Sequence, residues 1–390
     1  MKHARSYRGR PRPAVAGGPA LTPATLAGLY GLDAFYQHGL YGQGETIGFL
    51  EFTLPDQRDD AAFWGKYSLQ PQLNRPATAR ILPAGRSSPA DLGETDLDLQ
   101  YAGALAPGAR LAVYVLDAGA GLPEFMCAFR RALQAAVADG IRIVSVSLGA
   151  GDLQAAEAGE IVDPVTGESW PDPSTFAADM DDWITAAGVV CFVAAGDSGL
   201  YAGFPGDTRV QASWPATQQA VVAVGGTQLA EPGYPGSGEE AWGGQTLDPR
   251  LPGYNPSNTL PQASGGGGAS AFIPPPARQG GLRASWRLTP DIAAFAGPLT
   301  IVDRGVEMSV WGTSAAAPIA AAIAALYHQA TGQFLDHALL EQTTRDITSG
   351  QNLNSALLQA GLEEYAAAAP GFDLCTGLGV PDAARLPGPA

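Results

Sequence analysis

Short apolar runs rich in β-branched residues alternate with helical patterns along most of this chain. Thr46 to Phe52, Arg110 to Leu116, Arg142 to Leu148, Val189 to Ala194 and Ala220 to Val224 read as buried strands. Leu92 to Leu105, Glu124 to Ala138 and Phe176 to Ala187 read as the helices among them. Apolar strands joined by helical crossovers require a mostly parallel sheet covered by helices on both faces. The predicted fold class is therefore α/β. With 390 residues, 46% of them hydrophobic, the chain can bury a large core. No internal repeat and no second domain is evident. Residues 1–20 read as a loose Pro/Gly arm, 21–385 as the folded domain, and Gly233 to Gly281 as long surface loops. In sheets of this kind ligands bind beyond the carboxyl ends of the strands. That rule singles out Glu51, the segment Ser147 to Gly149, and Asp197.

The chemistry-bearing motif is Gly312-Thr313-Ser314-Ala315-Ala316-Ala317-Pro318, which opens an Ala-rich apolar run to Tyr327. It puts the Ser314 hydroxyl at a helix start, where outward N–H groups suit a nucleophile whose product is an oxyanion. Gly-Thr-Ser-x-Ala-x-Pro is also the serine signature of subtilisin-like peptidases, which need a histidine base. The chain has four histidines: His3, His38, His328 and His337. None lies in a suitable context, and His328 is too far down the Ser314 helix to reach its hydroxyl. Glu94 and Asp98, four residues apart, share one face of their helix instead. Two such carboxylates cannot both ionise cheaply, so they titrate as a unit and can serve as a base in acid. Asp197, in Ala195-Gly196-Asp197-Ser198-Gly199, stands where subtilisins carry an oxyanion-binding Asn. Protonated, it too could donate a hydrogen bond to an oxyanion.

Together these residues resemble the sedolisin family, the serine-carboxyl peptidases, from about Leu21 to Asp382. The likeness is carried by Gly93-Glu94-x-x-Leu97-Asp98, Ser145-Val146-Ser147-x-Gly149, Ala195-Gly196-Asp197, Gly225-Gly226-Thr227, Pro290-Asp291-Ile292, Gly312-Thr313-Ser314 and Asp373-Leu374-Cys375-Thr376-Gly377. The resemblance implies a subtilisin-like fold and an acid-active endopeptidase. It implies Ser314 as nucleophile, Glu94 as base, Asp98 as its supporting carboxylate, Asp197 as the oxyanion-stabilising acid, and Glu51 behind the carboxylate pair. Ser147, Leu148 and Gly149 are expected to bind an extended peptide by strand addition, with Gly266 and Gly267 as the facing wall. Many relatives have Trp where this chain has Leu148. One structural Ca2+ is implied, with Asp346 and Asp373 giving side chains and Ile347, Ala369 and Gly371 giving carbonyls. The resemblance further implies peptide or protein substrates, a removed or separate propeptide, an extracellular setting and a monomer. A silent peptide-binding protein on the same fold and an esterase or acyltransferase are the alternatives. An intact Glu94, Asp98, Asp197 and Ser314 set argues against the silent protein.

A formal charge of −16 argues against a nucleic-acid partner. No run is long enough to span a membrane, and the basic start lacks the apolar region of a signal peptide. Cys127, Cys191 and Cys375 form an odd, sparse set. Cys191 is expected as a buried thiol, and one disulfide is open to the three without being required.

Overall fold

The computed structural model describes residues 7–8, 12–13, 20–83, 92–116, 121–202, 207, 209–243, 245–246, 262–352 and 367–386. The elements that position the site are β1 (Thr46–Glu51), α1 (Gln57–Tyr67), β2 (Thr78–Ile81), α2 (Leu92–Leu105) and β3 (Arg110–Val115). Then come α3 (Leu122–Ala138), β4 (Ile143–Val146), β5 (Leu148–Gly151), α4 (Pro173–Ala187), β6 (Val190–Ala194), β7 (Val222–Leu229) and β8 (Glu239–Ala241). The last are β9 (Ile292–Phe295), β10 (Leu299–Asp303), β11 (Val306–Trp311) and α5 (Thr313–Thr331).

The main sheet has eight strands, ordered β8-β7-β6-β4-β1-β3-β2, with β9 also on β7. Every pairing is parallel except β7 with β8. Alternation along each strand divides the core in two. Ile47, Phe49, Val113 and Phe192 face one way, against Leu97 and Tyr101 of α2 and Ile319 and Ile323 of α5. Leu50, Val144, Val146 and Val193 face the other way, against Phe125 and Phe129 of α3 and Phe176 and Met180 of α4. The architecture is thus a subtilisin-like, mostly parallel sheet flanked by helices, in one domain.

Local chemistry sets the ends of the helices. At α4 the Asp172 side chain accepts from Thr175 N, Pro173 occupies the first turn, and Gly188 closes the helix at φ 60. Helix α5 is buried from Thr313 through Tyr327. A helix that is apolar all round can only lie inside a protein, and its alanines allow α2 and the sheet to approach closely.

From β1 the chain builds β2 and β3 to one side, then β4, β6 and β7 to the other. The order therefore reverses between β1 and β4, and a crevice opens beyond their carboxyl ends.

The structure departs from expectation in three places. The strand expected to run to Leu148 breaks at Ser147, and β5 leaves the main sheet. The strand expected to end at Val224 continues to Leu229 through Gly225 and Gly226. Side chains are excluded there: a Cβ on Gly226 would stand 2.7 Å from the Trp242 ring, and one on Gly225 2.8 Å from Pro290. Finally, Gly233–Gly281 is not simply surface loop. Residues 244 and 247–261 lie outside the described residues, but Ser264 to Ser270 are buried.

Candidate active site

Ser314 is the second residue of α5 and 5% exposed. Gly312, the N-cap, offers no side-chain cap. Asp197 supplies one from across the crevice: its Oδ1 accepts from Thr313 N at 2.7 Å and from Thr313 Oγ1 at 3.0 Å. Gly196 N in turn donates to Thr313 Oγ1 at 3.0 Å. A Cβ on Gly312 would sit 3.0 Å from Asp197 Oδ2, so glycine keeps the two chains close. Asp197 and Ser314 are thereby fixed on the same helix start.

The opposite wall is α2, which packs along α5. Asp98 is wholly buried, Glu94 is 4% exposed, and Glu51 at the end of β1 is 1% exposed. Burial is the largest influence on Asp98, raising its pKa well above the ordinary carboxylate range, and the Glu51 and Glu94 charges push it further up. Burial also raises Glu51, to about 7, against hydrogen bonds from Asp98 and Thr95 that lower it. Glu51 and Asp98 are therefore a buried hydrogen-bonded pair that retains a proton in acid.

Ser147, just beyond β4, joins the two walls. Its Oγ lies 2.9 and 2.8 Å from the Asp98 carboxylate oxygens and 3.2 Å from the Ser314 carbonyl. That carbonyl is free for it because Pro318, four residues on, has no N–H to donate. A hydroxyl with one proton serves one acceptor at a time, so Ser147 is a branch point between the carboxylates and the nucleophile's main chain.

The Ser147 side chain is 3% exposed and committed inside the site. Leu148 is likewise buried, in the core on the α3 side. The free edge expected at Leu148 and Gly149 is taken by the chain itself. Tyr7–Arg8 pairs antiparallel with it, Tyr7 opposite Gly149 and Arg8 opposite Leu148, while Ser213–Trp214 pairs with Ala150 and Gly151.

Gly266 and Gly267 are packed backbone to backbone. Gly266 N donates to Gly196 O at 2.6 Å, and a Cβ there would fall 1.9 Å from Ala195 O. A Cβ on Gly267 would fall 2.0 Å from Leu374 O. Gly266 thus backs the Asp197 loop, and Gly267 packs against the Leu374 backbone.

His38 is exposed. His328 bonds Glu45 at 2.8 Å, and His337 bonds the Val221 carbonyl at 3.0 Å. His3 lies outside the described residues. The three cysteines are buried and form no disulfide with one another.

Near the C-terminus the turns that carry Asp346 and Asp373 lie against each other. Asp346 Oδ2 accepts from Gly371 N at 2.8 Å, and Asp373 Oδ2 from Ala369 N at 3.0 Å. Thr376 Oγ1 lies 3.5 Å from the Ile347 carbonyl and 3.3 Å from Asp373 Oδ1. Two carboxylates and the Ile347 carbonyl in linked turns offer oxygen donors, the chemistry a hard cation takes. Asp373 is wholly buried with no cationic side chain bonded to it among the described residues, and burial raises its pKa to about 6.

A serine at a buried helix start, carboxylates across a parallel-sheet switch point and, among the described residues, no histidine bonded to them define a class. Residues 89–361 match the model of the subtilase family, and the chain belongs to that family. Within it the likeness is to the sedolisins. The chain is 33% identical to kumamolisin of Bacillus sp. (strain MN-32) over 94% of its own length and 63% of the relative's. It is 30% identical to sedolisin of Pseudomonas sp. (strain 101) over 75% of its length and 48% of the relative's. The chain thus spans less than two thirds of the curated relatives it matches. The solved structure of Pseudomonas sedolisin, a serine-carboxyl proteinase complexed with two molecules of pseudo-iodotyrostatin, has the same fold. Its TM-score is 0.70 at 23% identity, covering 95% of this chain and 97% of that one.

Proposed function

We propose that this chain is an acid-active serine-carboxyl endopeptidase. The observation that carries the reading is the Ser147 bridge, which ties the buried Asp98–Glu51 pair to the carbonyl of Ser314 while Asp197 holds the same helix start from the other side. In the proposed reaction Ser314 Oγ attacks the substrate carbonyl and its proton passes to Glu94. Asp98 and Glu51 share a proton behind Glu94 and adjust their charge as it gains one. Asp197 Oδ1 already accepts two hydrogen bonds, so a proton on Asp197 belongs on Oδ2, where it can be donated to the oxyanion. Glu94 returns its proton to the leaving amine, and water then hydrolyses the acyl-serine by the reverse sequence.

An extended substrate would pair with the β5 edge now held by Tyr7–Arg8. Asp346, Ile347, Ala369, Gly371 and Asp373 would hold one Ca2+ that braces the C-terminal turns. Substrates are unfolded proteins or peptides, and secretion fits a protein built for acid.

The test is peptide-library cleavage from pH 2 to pH 8 with a peptide aldehyde as trap. Cleavage in acid, a hemiacetal on Ser314, and loss of about 10⁴-fold or more in kcat for Ser314→Ala are expected. A neutral or alkaline optimum, or full activity of Ser314→Ala, would overturn the reading. Adduct formation without peptide turnover would move it to an esterase or acyltransferase.

A further inference from the structure

We infer that α1, α2 and β10 together form a buried site for one hard divalent cation, on the side of α2 turned away from the catalytic crevice. Asp59 comes from α1, Asp96 from α2 and Asp303 from the end of β10. One carboxylate oxygen from each lies within 4.8 Å of the other two. Asp59 is 5% exposed and Asp96 wholly buried.

The main chain presets both. Gly305 N donates to Asp59 Oδ1 at 2.9 Å, and Asp56 N donates to Asp96 Oδ1 at 3.0 Å. The remaining oxygens, Asp59 Oδ2 and Asp96 Oδ2, are buried with no hydrogen-bond partner, as is Asp303 Oδ1. Asp60, 1% exposed, interacts electrostatically with Asp59 and Asp96. Gln100 hydrogen-bonds Asp60 while also donating to the Val302 carbonyl at 2.7 Å and accepting from its N–H at 2.9 Å. Among the described residues, the only cationic group ion-paired to these four is Arg304. It stands 3.9 Å from Asp303 on a side chain 63% exposed.

Buried carboxylates normally find donors or a counter-charge, because desolvation costs several kcal/mol per ion. Asp59, Asp96 and Asp303 converge from three elements, each with a buried oxygen that has no hydrogen-bond partner, and a cation among them would supply the missing counter-charge. The donors are all oxygen, so the cation is hard, and soft thiolate-seeking metals are disfavoured. Oxygens around Ca2+ stand about 2.3–2.6 Å from the ion, so opposed pairs can be about 4.6–5.2 Å apart, which accommodates the observed spread. Such an ion would fasten α2, the helix bearing Glu94 and Asp98, to α1 and β10. None of these ligands belongs to the C-terminal set around Asp346 and Asp373, and the inference does not depend on the peptidase reading.

The test is metal stoichiometry at pH 7. The full chain, with Ser314→Ala to prevent self-digestion, is stripped with chelator, titrated with Ca2+ by calorimetry, and assayed by mass spectrometry after dialysis. Two equivalents are expected. Asp96→Asn and Asp303→Asn should each lose one and retain the ion held at Asp373, while Asp373→Asn should lose the other. Asp303 lies partly at the surface, so its variant remains informative if Asp96→Asn fails to fold. One equivalent, lost in Asp303→Asn and kept in Asp373→Asn, would support this site and refute the C-terminal one. Stoichiometry unchanged in a folded Asp303→Asn, or no Ca2+ bound at all, would overturn the inference and leave protons as the neutralising charge.

Discussion

Asp197 has two separable duties at the scale of the residue. It caps α5 by accepting from Thr313 N, and it is proposed to donate to the oxyanion. Asn keeps an acceptor oxygen and gains a donor that does not titrate, whereas Ala loses both. Asp197→Ala should therefore lower kcat by about 10²–10³-fold, the usual cost of an oxyanion donor. It should also lower stability by about 1 kcal/mol, the usual cost of a lost cap. Asp197→Asn should keep the stability, retain part of the activity, and shift the alkaline limb of the pH profile. Urea unfolding measured beside kcat separates the duties. If both variants lost stability equally, the cap argument would be wrong; if both kept full kcat, the oxyanion role would be. The identities of these candidates were legible in the chain because each occupies a compact motif. Their linkage was not, because Ser147 meets Asp98 across 49 positions and Ser314 across 167.

At the scale of the element, what could be read and what could not follow from burial. Strands such as β1 and β3 are apolar because both faces are covered, and α2 fell within its observed bounds for the same reason. Helix α1 escaped because its first turn, Gln-Arg-Asp-Asp, looks like solvated surface; three of the five acids at Asp56, Asp59, Asp60, Asp96 and Asp303 are in fact buried, namely Asp59, Asp60 and Asp96. Gly265 to Gly268 were read as loop because glycine signals flexibility, yet here it permits backbone-to-backbone approach. Strand β5 was fused with β4 because no residue type marks a change of partner. Its partner Tyr7–Arg8 has a consequence for turnover. An edge already paired with a tethered strand faces a high effective concentration of competitor. Removing residues 1–13 should lower KM for extended peptides several-fold and leave kcat unchanged. An unchanged or raised KM in a truncated protein with the parent's melting temperature would show that substrate uses a different edge.

For the whole molecule the decisive quantity is how its buried carboxyls respond to pH. Burial raises Glu51 to about 7, Asp152 to about 6 and Asp181 to about 6. Each folded pKa lies above its unfolded value, 4.5 for Glu and 3.8 for Asp. A group shifted this way contributes stability that is fully present below the unfolded pKa and is lost as pH rises through the folded one. The loss thus falls between about pH 4 and pH 7. One pKa unit is worth about 1.4 kcal/mol, and total stabilities are about 5–15 kcal/mol, so three groups moving together are consequential. Self-repulsion acts in the same direction, since the chain carries −16 at pH 7. Asp291 opposes it: burial would raise its pKa, but Arg287 and Arg278 outweigh that and hold it far below the usual range, so its stabilisation fails only in strong acid. Metal-free protein carrying Ser314→Ala should accordingly melt several degrees higher at pH 4.5 than at pH 7.5. Glu51→Gln, which cannot ionise, should shrink that difference by flattening the curve near pH 7. A melting temperature that rises toward neutral pH in the metal-free chain would mean that these carboxyls are solvated or paired in ways that burial alone does not reveal.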